Sequence, residues 1–132
     1  MNPSEIIELS LEQTVEALGD PTDKVFALMY DRFPDLLSYR EENEDWENYM
    51  FEEIITNFMS FGDDPETALL TIKDMTVHHE LIGVPRSIFK GMYDALFEVM
   101  SATFHGPHKN AMTEAWRENV AQIHRCIETA AA

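Results

Sequence analysis

The stretch best equipped for chemistry is Met75-Thr76-Val77-His78-His79-Glu80-Leu81-Ile82-Gly83-Val84-Pro85. His79 continues the apolar helical spacing of Ala68, Ile72 and Met75, so it points inward. His78 lies about 100° further around the helix and points sideways or out. An imidazole on an apolar face needs a partner, because an unpaired buried polar group costs about 1–3 kcal/mol. The backbone, a water or a metal such as iron could each be that partner. The carbonyl near Met75, one turn earlier, is in reach of one ring nitrogen, leaving the other free. Glu80 faces away.

Other constellations are weaker. His105-Gly106-Pro107-His108, with His124 in principle nearby, lacks the Cys or carboxylate neighbours of a strong metal site, and solvent exposure is the simpler expectation. The run Glu41-Glu42-Asn43-Glu44-Asp45 reads as a solvated loop, with charge suited to a basic redox partner or a divalent cation. No hydrolase triad, phosphate loop or CxxC pair is present.

A chain of 132 residues suggests a single domain, 1–132, with a real core. Its 45% hydrophobic content is too high for a disordered chain. Eight Met and eight Phe suit an irregular apolar cavity as well as an ordinary helical core. Nine basic against 25 acidic residues give a net charge of −16, which argues against nucleic acid and anionic membrane surfaces as partners. Cys126 is the single cysteine, so no intrachain disulfide forms, in keeping with a reducing compartment. Met1 is followed by polar and acidic residues rather than a signal segment, and no apolar run approaches the roughly 20 residues of a membrane span. The expectation is a soluble cytoplasmic protein.

The elements that must position His79 are helical. Strand alternation and hairpin turns are absent, and Pro and Gly punctuate a helical period. The first helix is predicted over about Ser4–Leu18, with Ile7, Leu11, Val15 and Leu18 as its stripe and Gly19 as its stop. Asp20 caps a second helix, with Pro21 in its first turn, running to about Phe33. Pro34 interrupts it, and Asp35–Tyr39 forms a short tight turn. Arg40–Asp45 is an exposed connection. Trp46–Phe61 is apolar on much of its circumference, as a helix sandwiched between others would be. Gly62-Asp63-Asp64-Pro65 ends that helix and caps the one carrying His79, which stops at Gly83. A helix over about Arg86–Phe104, a break at His105–His108 and a last helix from about Asn110 complete an all-α domain of six to seven helices.

In order along the chain, four features resemble a globin of the bacterial single-domain and flavohaemoglobin type. Phe33-Pro34-Asp35-Leu36 is similar to the family's His/Phe-Pro at the bend after its second helix. His79-Glu80-Leu81-Ile82-Gly83-Val84 resembles the family's His-x-x-x-Gly-Val, whose histidine is the proximal iron ligand. Phe89 stands where the family has an aromatic residue entering the next helix. Ala115-Trp116 is similar to an Ala-Trp common in that branch.

The resemblance implies a three-over-three helical sandwich binding haem b, with His79 on iron and a diatomic gas (O2, CO or NO) on the far side. It implies a cofactor pocket of His79, Met50, Ile54, Phe26, Tyr39, Met75, Val84, Phe89 and Met92. Family spacing carries the distal position to Met50, with Ile54 one turn later crowding the ligand, although Tyr49 or Phe51 could hold that role. Phe26 aligns with the second-helix residue that faces the ligand, and Tyr39 lies near the position of a porphyrin-packing Phe. Arg86, Lys90 and Arg40 are the cationic candidates for the propionates. The bacterial branch usually places Tyr at the position of Phe26 and Gln near Met50, so this chain lacks their hydrogen bonds to bound oxygen. The thioether of Met50 could itself ligate iron. The proximal Tyr–Glu pair of flavohaemoglobins is also missing, with Phe89 and Ala131 at those positions, and no reductase domain follows. Nitric oxide dioxygenation is therefore not expected, and redox chemistry would need an external electron donor. The alternative is a haem-free globin-fold sensor or interaction module, its pocket filled by side chains such as Phe26, Met50 and Met75, or by a lipid.

Overall fold

The computed structural model describes residues 2–38 and 45–131. All regular structure among the described residues is helical. Helix α1 spans Pro3–Leu18, α2 Thr22–Arg32, and a 3-10 turn Pro34–Leu36. Helix α3 spans Trp46–Asp63, α4 Pro65–Leu81, α5 Arg86–Ser101 and α6 Lys109–Thr129. Among the described residues no helix is long and apolar enough to cross a membrane.

The boundaries follow local chemistry. Asn2 opens α1 by accepting the Glu5 N–H at 2.8 Å. Asp20 accepts the Thr22 hydroxyl and the Thr22 N–H (2.9 Å), and these bonds hold its carboxyl below the ordinary aspartate range. Asp64 does the same for α4 through the Thr67 hydroxyl and N–H. Gly83 closes α4 with a φ of +92°, a region that L side chains rarely adopt. The predicted end of α5 at Phe104 is too late. The N–H groups of Thr103 and Phe104 turn back to the carbonyls of Met100 and Ser101, three residues earlier, so the α-helix ends at Ser101.

The packed pairs are α1 with α3, α5 and α6; α2 with α3 and α5; α3 with α4; α4 with α5 and α6; and α5 with α6. The core centres on Trp116, fully buried in α6 and stacked on Phe58 of α3 with ring centroids 3.9 Å apart. Met112, Val120, Ile123 and Ile127 share the buried face of α6. Where α2 ends against α5, a Cβ on Gly91 would lie 2.6 Å from the Phe33 ring, so only glycine allows that approach.

The expected stripe of α1 is corrected. Its buried positions are Ile7, Ser10 and Thr14, and Val15 is 61% exposed. The Trp116 indole N–H donates to Ser10 Oγ at 2.8 Å, and Ser10 donates to the Ile7 carbonyl at 2.6 Å. The Thr14 and Thr103 hydroxyls meet at 2.8 Å. Buried donors need acceptors, so α1 turns these polar residues inward.

Candidate functional site

A cavity of about 120 Å³ lies between two groups of elements. On one side stand Phe26 and Met29 of α2, Leu36 of the 3-10 turn, and Trp46 and Met50 of α3. On the other stand His79 of α4, Ile82 and Val84 of the corner, and Ile88, Phe89 and Met92 of α5. His79 is the single titratable residue among the described residues of this lining.

The geometry around His79 is specific. Its Nδ1 lies 2.6 Å from the Met75 carbonyl, so Nδ1 carries the proton and donates it. In the neutral imidazole that bond sets the tautomer and puts the lone pair on Nε2. Phe89 stacks on the imidazole at 4.8 Å with planes 21° apart, limiting its rotation. Two further contacts hold the corner after the histidine. The Val84 N–H bonds the His79 carbonyl at 2.8 Å, and the Gly83 N–H bonds the Glu80 carbonyl at 3.1 Å. His78 is exposed and His79 half-buried, as the helical spacing requires.

Of the expected pocket residues, the structure brings together His79, Phe26, Met50, Val84, Phe89 and Met92. Ile54 does not reach the cavity: one turn beyond Met50, it is fully buried in the core. Met75 does not either, because its sulfur accepts the Asn57 Nδ2–H at 3.0 Å on the side facing α3. Its carbonyl, rather than its side chain, serves the site. Tyr39, Arg40 and the acidic run from Glu41 to Glu44 lie outside the described residues. Tyr49 is 65% exposed and Phe51 does not line the cavity, so neither takes the role of Met50.

Met29, Leu36, Trp46, Ile82 and Ile88 complete the lining without having been expected there. Helical spacing holds the signal for three of them. Met29 follows Phe26 by one turn, Trp46 precedes Met50 by one, and Ile88 precedes Met92 by one. Trp46 meets Phe26 edge-on at 5.0 Å, which builds the wall of this side.

Two of the cationic candidates, Arg86 and Lys90, already have partners. Arg86 is spent on the end of α6: its guanidinium donates to the carbonyls of Ile127 (2.7 Å), Glu128 (3.1 Å) and Ala130 (2.5 Å), and to the Glu80 carboxylate (2.8 Å). A helix C-terminus presents unpaired carbonyls and partial negative charge, which explains the attraction. Lys90 pairs with Glu128 at 2.6 Å. The guanidinium holds the Glu80 carboxyl below its usual range, and Lys90 does so for Glu128.

His105 and His108 are exposed, and His124 Nε2 lies 3.0 Å from the Asp94 carboxylate instead. Among the described residues no cluster of three His, Cys, Asp or Glu side chains could hold a metal. Cys126 donates its thiol to the Leu69 carbonyl at 3.3 Å, and burial pushes its pKa up. Comparison with known protein families, curated proteins and solved structures found no match.

Proposed function

We propose that this chain is a haem-binding globin in which His79 ligates the iron and an apolar wall faces a diatomic gas. The observation that carries this reading is the His79 imidazole. It is anchored at Nδ1, stacked at its face, and presented to a cavity otherwise lined by aliphatic, aromatic and thioether side chains. The all-helical packing of the described residues is consistent with it. A fold by itself carries no activity, so the weight rests on the site.

The donor set fits haem. Neutral imidazole is an ordinary axial ligand, and its second nitrogen normally bonds a carbonyl or carboxylate, as here. Phe26, Leu36, Val84, Ile88 and Phe89 would hold the porphyrin's apolar body. When bound, haem supplies an iron that takes O2, CO or NO. The residues of the chain do the rest. The Met75 carbonyl fixes the plane of the His79 ring. Phe26 and Met50 offer no hydrogen bond to charge developing on bound oxygen, which favours CO and NO over O2. Apart from His79, no described residue of the lining carries an acid–base group, and redox turnover would need an external electron donor.

Haem-reconstituted protein should show a strong Soret band that His79→Ala abolishes or replaces with that of loosely held haem. A reconstituted wild type without that band sinks the proposal. One observation favours the second reading, a haem-free module of the same fold. The void of about 120 Å³ is small beside the roughly 300–1,000 Å³ of a typical ligand pocket. That reading predicts stability unchanged by haem and a surviving fold in His79→Leu.

A further inference from the structure

We propose that Met50 is the second axial ligand, so that the iron sits between His79 and a thioether and a gas must displace Met50 to bind. The inference rests on haem binding at His79.

Three methionines face the cavity from three helices. Met92 follows Phe89 by one turn of α5, and Phe89 is the ring stacked on His79, so Met92 belongs to the histidine's wall. Met29 and Met50 belong to the other wall. The remaining side chains there are Phe26, Leu36 and Trp46. Phenyl and aliphatic groups have no lone pair, and an indole nitrogen only donates. Among the described residues of that wall, the thioethers are therefore the only groups that can coordinate a metal.

Burial separates the two. Met29 is 1% exposed and packed into the core, where its rotamer is set by its neighbours. Met50 is half-buried at the edge of the core, one turn after Trp46. Its unbranched chain has three rotatable bonds with which to turn its sulfur inward. With no hydrogen-bonding side chain described in that wall beyond Trp46, a water ligand has little to hold it, and the sulfur competes well.

The consequence is regulation of the same site. Ligand binding waits on release of Met50, and the apparent affinity falls by the fraction of time the position is open. A histidine–thioether pair also raises the reduction potential, favouring ferrous iron.

The test uses the full chain reconstituted with haem b. The ferric protein should be low-spin and show the near-infrared charge-transfer band of sulfur-ligated haem. Met50→Leu, close to Met in volume, should lose that band while circular dichroism reports the same helical content. If Met50 holds the position about nine-tenths of the time, the same substitution raises apparent CO affinity about tenfold. A ferric wild type with five-coordinate or water-bound iron overturns the inference and leaves haem binding intact. So does a band that survives Met50→Leu or is lost instead in Met29→Leu. Failure of the wild type to take up haem overturns both.

Discussion

Replacing Ser10 with Ala tests whether a buried hydroxyl in α1 and a tryptophan in α6 act as one unit. Ser10 is fully buried, and its oxygen is the partner of the Trp116 indole N–H at 2.8 Å. Without that oxygen the N–H is stranded in the core, which costs about 1–3 kcal/mol. The Ser10 hydroxyl's bond to the Ile7 carbonyl is also lost, but that carbonyl keeps its helical partner. Alanine's better helix propensity offsets about 0.5 kcal/mol. The net expectation is a loss of about 1–2 kcal/mol, or about 4–8 °C in Tm for a chain of this size. Urea denaturation of four proteins separates the terms: wild type, Ser10→Ala, Trp116→Phe and the double variant. Phenylalanine keeps an aromatic ring against Phe58 and removes the donor, so Ser10→Ala should cost close to nothing in that background. The coupling should therefore be about 1–2 kcal/mol. Equal costs of Ser10→Ala in both backgrounds would refute the reasoning.

Gly91→Ala should destabilise by about 1 kcal/mol in urea, because overpacking against Phe33 costs about 1–3 kcal/mol and outweighs the helix propensity gained. In a Phe33→Ala background the same change should become neutral or stabilising, and an unchanged cost there would exclude the clash. The acid limb of stability should depend on the clamp at the end of α6. Glu80 and Glu128 have folded pKa values depressed from 4.5, so the stability they contribute is present above 4.5 and lost as pH falls through the depressed values. Denaturation between pH 6 and 3 should show a shallower decline in Glu80→Gln than in the wild type, and an identical decline would remove Glu80 from the account. Arg86→Ala should speed amide exchange in the last turn of α6 more than elsewhere, as measured by hydrogen–deuterium exchange.

Local chemistry made the helices legible, and non-local pairing hid what was missed. Pro, Gly and Asp at 20, 64, 65 and 83 write the boundaries within a residue or two, because caps and turns act over three or four positions. The bond from His79 to the Met75 carbonyl was readable for the same reason: both ends lie one helical turn apart. The buried face of α1 was not. Ile7, Leu11, Val15 and Leu18 form the better apolar stripe, yet a donor 106 positions away in sequence turns Ser10 inward. The partners of Arg86 were hidden similarly, since they are backbone carbonyls at the far end of the chain and no residue type announces them. Met50 and Ile54 share a helical face, but only Met50 lies level with the cavity. Periodicity fixes direction around a helix axis, whereas height along it depends on how neighbouring helices cross.

The two tryptophans occupy opposite environments, Trp116 sealed in the core and Trp46 at the cavity wall. They are the only indoles in the sequence, so the unmodified chain carries two built-in optical probes with separate tasks. Emission from Trp116 shifts to the red when the core opens to water and so reports unfolding. Emission from Trp46 is quenched by any chromophore that enters beside it, whatever the fold is doing. In Trp116→Phe only the cavity probe remains, and occupancy can then be followed by fluorescence at concentrations too low for absorbance.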